Sequence, residues 1–327
     1  AVTLPHRRQL LQFAAGAAAL PAMLGIARAQ AYPSRPVRWV VGFAPGGGYD
    51  TVARLMGQWL QERLGQPFVI ENRPGAATNI ATEAVVRAAP DGYTLLLIGS
   101  TNAINATFYP KLNFNFIHDI APVAGITTQP QVMLGGPSLS AKTISEVIAY
   151  AKANPGKVNV ASPGVGAVSH LAGELFKSMA GVNLQNVPFG GNSPALTALL
   201  GGQVEISFAS LPSAVEFIRT GKVKGLGVTT RTRSDVLPEV PSISEFVPGY
   251  DVVSWYGVGA PKGTPVEIIE KINNEVNAGV IDAKMKARLA DLGGTPFVMS
   301  PAELSKFIAE DTEKWAKLIR AADIKRQ

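Results

Sequence analysis

The stretch that most constrains this chain is Val40-Val41-Gly42-Phe43-Ala44-Pro45-Gly46-Gly47-Gly48-Tyr49-Asp50. The apolar run Val37 to Phe43 predicts a buried strand, and the consecutive glycines predict a turn. Val52, Leu55, Met56, Trp59, Leu60 and Leu64 then recur at helical spacing, predicting a helix that opens at Thr51 and stops at Gly65. Glycine lets the backbone curl its N–H groups inward, and a helix start adds unpaired donors and a partial positive charge. Such a joint suits an anion, but a single glycine turn is also common where nothing binds. What lifts this one above a plain turn is that the pattern recurs.

In the first half, Phe68 to Ile70 is a strand leading into the small-residue turn Glu71 to Asn79, and Thr94 to Ile98 is a strand leading into Gly99-Ser100-Thr101-Asn102. In the second half, Lys157 to Ala161 runs into the glycine loop Ser162 to Ser169. Leu184 to Pro188 runs into Phe189-Gly190-Gly191-Asn192-Ser193, and Val204 to Phe208 ends in Ala209-Ser210. Two extended passages, Ile120 to Leu134 and Tyr250 to Gly259, connect the blocks. Thr143-x-x-Glu146, Ser213-x-x-Glu216, Thr264-Pro265-x-Glu267 and Ser300-Pro301-x-Glu303 read as helix capping boxes. The pattern predicts an α/β protein of two lobes around a cleft, with residues 32–130 plus 254–327 in one lobe and 131–253 in the other. Ligands of open α/β sheets bind beyond the carboxyl ends of the strands. Asp50 reads either as a helix N-cap or as an acceptor for a ligand, and Arg73 either as a solvated side chain or as a carboxylate partner.

Other chemistries find little support. Cysteine is absent, which removes disulfides, thiolate metal sites and cysteine nucleophiles. The histidines are His6, His118 and His170, without metal-ligand spacing. Gly164-Val165-Gly166-Ala167-Val168-Ser169 falls one glycine short of a dinucleotide fingerprint, and no acid follows in Gly181 to Pro188. Gly191-Asn192-Ser193-Pro194-Ala195 approaches a nucleophile elbow but lacks its last glycine, and no histidine follows His170. An exported hydrolase using a serine of the cleft is the alternative reading. Arg7-Arg8, the apolar run Leu10 to Ile26 and Ala29-Gln30-Ala31 read as a signal peptide cleaved near Ala31, of the Sec or twin-arginine type. Removing its three arginines lowers the net charge to +3, too mild to argue for nucleic acid.

The motif Pro45-Gly46-Gly47-Gly48-x-Asp50-x-x-Ala53-Arg54, with Asn72-Arg73-Pro74-Gly75 and Pro90-Asp91-Gly92-Tyr93-Thr94, resembles the Bug family of solute receptors of tripartite tricarboxylate transport. Ser169-His170-Leu171-Ala172, Pro188-Phe189-x-Gly191 and Leu199-Leu200-x-Gly202-Gln203-Val204 extend the resemblance, which covers the chain from about Tyr32 onward. It implies a periplasmic, monomeric binding protein of two α/β lobes with two crossing strands as hinge. It also implies no cofactor or metal, a small organic carboxylate as ligand, and membrane permease subunits as partners. Carried onto this chain, the ligand contacts fall on Gly47, Gly48, Tyr49 and Asp50 and on Ala77 and Thr78; Phe43, Ser100 and Thr101, at the ends of neighbouring strands, join them as candidates. In the second half they fall on Ser162, Gly164, Val165, Gly166, Ala167, Ser169 and His170, and on Gly191, Asn192, Ala209 and Ser210. Tyr49 departs from the small residue usual in the family, and either narrows the pocket or offers a ring face.

Overall fold

The computed structural model describes residues 32–109 and 111–324. The signal-peptide reading of residues 1–31 lies outside them. Strand β1 (Val37–Val41) has its apolar side chains buried on both faces and leads through the glycine turn into helix α1 (Gly48–Leu64). That helix starts three residues earlier than the apolar spacing predicts. Its N-cap is Gly47, so Asp50 is the third helical residue and not the cap. Then come β2 (Phe68–Asn72), α2 (Asn79–Val86) and β3 (Thr94–Gly99). Helix α3 (Ser100–Phe108) opens directly on β3, so Ser100-Thr101-Asn102 is a helix start where the pattern predicts a loop. The short α4 (Phe116–Asp119) precedes the long strand β4 (Ile120–Gly135).

The second block holds α5 (Ile144–Ala153), β5 (Asn159–Ser162), α6 (Val168–Ala180), β6 (Gln185–Pro188), α7 (Asn192–Leu200), β7 (Ile206–Ser210), α8 (Leu211–Arg219) and β8 (Lys224–Val228). The return strand β9 (Val253–Pro261) is followed by α9 (Val266–Ile281), α10 (Ala283–Asp291), β10 (Thr295–Pro296) and α11 (Pro301–Ala321). The capping pattern holds at Thr143 and Ser300, whose hydroxyls accept from the amides of Glu146 and Glu303. It fails at Ser213, which lies inside α8, and at Thr264, whose hydroxyl donates to the Pro261 carbonyl instead.

The strands form a continuous sheet in the order β2-β1-β3-β9-β4-β7-β5-β6, with β8 and β10 also pairing to β4. β1 is parallel to β2 and β3, and β5 is parallel to β6 and β7; the pairs that involve β4 or β9 are antiparallel. β4 is the shared element. From Ile120 to Pro130 it pairs with β9, and from Gln131 to Gly135 with β7 and β8. The described residues from Arg35 on pack as one compact unit. Beside the sheet's centre, Trp255 of β9 packs on Phe297 and Phe307 with centroids 6.4 and 5.5 Å away, and its indole N–H donates to buried Asp311 at 2.7 Å.

Thr229 fastens the joint. Its hydroxyl accepts from the Gln131 amide at 2.9 Å and donates to the Val252 carbonyl at 2.6 Å, linking β4 to the segment that enters β9. The residue is fully buried, so water cannot replace either bond. Thr229→Val leaves these partners unmet and is expected to cost about 1–3 kcal/mol. In urea unfolding the midpoint falls with an unchanged slope; an unchanged midpoint would show that the hydroxyl does not secure the joint.

Candidate functional site: braced glycine turns at the strand ends

The turn after β1 is curled by a side chain from its own helix. Gly46 has φ of +81°, and its N–H donates to Asp50 Oδ2 at 2.9 Å. The same carboxylate receives Arg54 Nε at 2.9 Å, Arg54 Nη2 at 2.9 Å and Asn72 Nδ2 at 3.0 Å. Asn72 also donates to the Phe43 carbonyl at 3.0 Å, anchoring the end of the turn. Burial pushes the Asp50 carboxyl up, but the bonds from Arg54, Gly46 and Asn72 outweigh it and hold it below the ordinary range. Both of its oxygens are thus occupied inside the protein. Arg73, for its part, forms a close ion pair with Glu71.

The turn after β5 repeats the arrangement with different chemistry. Gly166 has φ of +90°, and its N–H donates to His170 Nδ1 at 3.2 Å, again four residues on. A ring nitrogen that accepts is unprotonated, so this imidazole is neutral with its proton on Nε2. Burial, then the charge of Lys177, pushes His170 down to about 4. Ser169 donates to Gln131 Oε1 at 2.6 Å and Gln131 Nε2 to Ser254 at 2.7 Å, so the start of α6 is tied to both crossing strands. Ser162 donates to Asn186 Oδ1 at 2.7 Å.

A third turn, before α2, is unusual. Ala76, Ala77 and Thr78 take φ of 46°, 47° and 75° in succession, a left-handed run without glycine. Each such residue costs roughly 1–2 kcal/mol unless its surroundings impose it. Here the surroundings are asparagines of α3: Asn105 Nδ2 donates to the Ala77 carbonyl, and Asn102 Nδ2 to Thr78 Oγ1 at 3.2 Å. Gly42 permits the close approach, since a Cβ there would stand 2.6 Å from Thr78 Cβ. Successive N–H groups in such a run can form a concave anion seat. The roles of Asn79, Asn102 and Asn105 are absent from the sequence prediction. The signal available for Asn102 and Asn105 is their three-residue spacing, which puts both on one face of α3.

The two halves of the sheet touch across these turns at two places. At one, Gly48 N donates to Ser210 Oγ at 3.2 Å, Asn192 Nδ2 donates to the same oxygen at 3.2 Å, and Ser193 Oγ donates to the Pro45 carbonyl at 2.7 Å. Gly191 has to be small, because a Cβ would meet Ala44 Cβ at 3.0 Å. At the other, Tyr109 donates to the Val165 carbonyl at 2.7 Å, and a Cβ on Gly166 would stand 2.9 Å from the Tyr109 ring. Next to Gly48, Tyr49 packs on Phe43 and Tyr256 with centroids 4.8 and 4.9 Å away. Burial raises the Tyr49 hydroxyl to about 12, partly offset by the hydroxyl and backbone of Thr101. Ser100 accepts from the Trp255 amide at 2.9 Å and is therefore a brace for β9.

A model of the tripartite tricarboxylate transporter family receptor matches residues 52–324. The chain belongs to that family. It is 34% identical to R. palustris Rpa4515 with adipate, with a TM-score of 0.87 over 89% of this chain and 98% of that one. It is 34% identical to periplasmic binding protein BugD, TM-score 0.86, over 90% and 100%. Its identity to MatC from Rhodopseudomonas palustris with bound malate is 36%, TM-score 0.83, over 88% and 100%. These relatives are solute-binding proteins, and this tripartite tricarboxylate receptor shares their fold.

The receptor's predicted residues now sort by what they touch. Asp50, Ser100 and Ser169 are engaged by their own neighbours. Gly48, Asn192 and Ser210 meet each other across the halves, and Val165 and Gly166 meet Tyr109. Ser193 has its hydroxyl directed at Pro45, not at a base. A separate groove of about 470 Å³ between α1 and α10, lined by Arg54, Gln58, Arg288 and Asp291, includes Asp50 alone among the predicted residues. Among the described residues no three His, Asp or Glu side chains gather as a metal site.

His170 makes stability depend on pH. Unfolded, it takes up a proton below its ordinary value of 6.5; folded, it stays neutral until about 4. The unfolded state therefore binds more protons in that window, and stability falls as pH drops from 6.5 toward 4 by at most about 3 kcal/mol. Near the ring stand Glu174 at 3.9 Å from Nε2, Lys177 and Phe108. His170→Asn keeps an acceptor but does not titrate. Chemical denaturation at pH 7 and pH 4 is expected to show the wild type losing more stability than this variant, and parallel losses would refute the assignment.

Proposed function

We propose that this chain is an exported, monomeric receptor that captures a small organic carboxylate between residues 32–130 plus 254–327 and residues 131–253, and delivers it to a tripartite tricarboxylate-type permease. The observation that carries this reading is that amide-bearing turns meet the facing half of the sheet: the turn braced by Asp50 meets the end of β7 at Gly48 and Ser210, and the turn braced by His170 meets Tyr109. The switch of β4 from β9 to β7 and β8 at Gln131 supports a hinge there. Adipate and malate in the related structures support an organic acid as the solute. Among the described residues no helix is long and apolar enough to cross a membrane. The receptor acts by binding alone and does not transform its ligand.

The energetics suffice. A hydrogen bond to a charged group contributes about 1.5–3 kcal/mol net, and micromolar affinity needs about −8 kcal/mol. A few amides and hydroxyls from each half reach that value after ordering costs, whereas one half alone falls short. The acid accordingly favours the arrangement in which both halves touch it. Backbone amides and small hydroxyls carry no formal charge, so an acid held by them is also released without breaking an ion pair.

Thermal-shift screening against a panel of carboxylates is expected to find stabilisation with no turnover; consumption of the acid would favour an enzyme. Gly48→Val tests the loop. A Cβ there would stand 2.8 Å from Ser210 Oγ and 2.8 Å from the Tyr256 hydroxyl, obstructing the approach of the halves. Overpacking of about 1–3 kcal/mol corresponds to roughly a 5- to 150-fold loss of affinity by calorimetry, with the far-UV circular dichroism retained. Full affinity would remove this turn from the site.

A further inference from the structure

The groove between α1 and α10 holds about 470 Å³ and has Asp50, the brace of the first glycine turn, in its wall. Leu55, Gln58 and Arg288 line it and also line a smaller hollow of about 80 Å³ that reaches Glu62 and Lys284, so the two are one continuous groove. Along α1 it extends from Asp50 to Glu62, about 18 Å at the helical rise. Its floor is apolar: Leu55, Met285 and Leu289 pack together, with Trp59 against them. One end lies where the halves of the sheet meet. There Asp50 holds the Gly46 amide, and Leu292 lines the groove beside Gly293, where a Cβ would collide with Leu211 of α8.

Most acids of this groove are engaged. Asp50 is held by Arg54 and Asn72, Asp282 accepts from the Met285 amide, and Glu62 accepts from Gln58. The cations are freer. Arg288 and Lys284 have no hydrogen bond or ion pair among the described residues. Arg54, 54% exposed, spends Nε and Nη2 on Asp50 and Asn72 and leaves Nη1 unused. Against these three stands Asp291, an acid without a partner among the described residues. We propose, resting on the receptor reading, that the groove docks an acidic segment of the permease, whose carboxylates pair with Arg288, Lys284 and the free edge of Arg54. A basic segment would face three cations and gain one acid, and an apolar one would strip water from charges it cannot pair. The place of the groove favours the permease over another partner of the same charge. A transporter has to distinguish a receptor with its halves joined from an open one. A segment seated here touches both the wall behind the Gly46 brace and the end of α10 that abuts α8. Exposed ion pairs are individually weak, so a row of them gives orientation and a fast encounter with a partner that must also leave.

The test is photo-cross-linking from benzoylphenylalanine introduced in place of Gln58, an exposed residue at the middle of the groove. In cells that make the protein, supplied with a carboxylate found by thermal shift, irradiation is expected to join the receptor to an integral membrane protein whose loss stops uptake of that acid. Lys284 and Arg288 are both exposed, so the fold tolerates their reversal. Lys284→Glu combined with Arg288→Glu is expected to lower the adduct about tenfold while the calorimetric affinity for the acid keeps its wild-type value. An adduct undiminished by charge reversal overturns the proposal. So does an adduct formed only with a second copy of this chain or with soluble proteins, the same yield from a probe at Lys317 on exposed α11, or no adduct at all. A fall in solute affinity in the charge-reversed receptor also overturns it, since the cations would then serve the solute and not a partner. A wild type that binds no carboxylate would instead sink the receptor reading beneath it.

Discussion

Each main glycine turn is held by one hydrogen bond from a glycine amide to a side chain four residues on: Gly46 to Asp50, and Gly166 to His170. The helix start that follows depends on this bond for its aim. A glycine at positive φ has many conformations open to it when free, so the brace selects one; after the first turn the Gly48 amide meets Ser210 of the facing half. The two braces differ in charge. Asp50 is an anion compensated by Arg54, and His170 is neutral. Neither turn thereby carries an uncompensated side-chain charge at its base, and the helix dipoles and amides remain to attract the proposed acid.

The crossing strands supply the second constraint. β4 belongs to both halves of the sheet, and the contacts that secure it are polar and buried: Thr229 to Gln131 and Val252, Gln131 to Ser254, Ser169 to Gln131. Gln131 joins the start of α6 to β9 through its side chain, so a rotation of one half about β4 would be felt at the Gly166 turn. Hydrogen bonds in a buried network have few substitutes, so the joint holds a defined geometry. Ser193, which resembles a nucleophile in the linear pattern, instead bridges to the Pro45 carbonyl.

Strand positions, the small-residue turns, the crossing passages and the family were legible along the chain, because each rests on local periodicity or on glycine's conformational freedom. The helix boundaries were not. Asp50 looked like a cap because it precedes the apolar repeat, yet Gly48 and Tyr49 are already helical. Ser100 to Asn102 looked like a loop because small polar residues dominate, yet the chain turns straight from β3 into α3. Packing against β9 and the Ala77–Thr78 turn outweighs the modest helix propensity of serine, threonine and asparagine there.

The amino-acid sequence by itself determined where the backbone could curl and where strands would end in small residues, since those follow from side-chain size and spacing. Only the tertiary structure decided which side chains hold the turns and which retain free atoms. Asp50 with Asn72, Asn105 with Ala77 and Gly48 with Ser210 are separated by 22, 28 and 162 positions in the chain. No local pattern encodes such pairs, because a hydrogen bond depends on distance and direction in space, and these are set when the two halves of the sheet come together on β4.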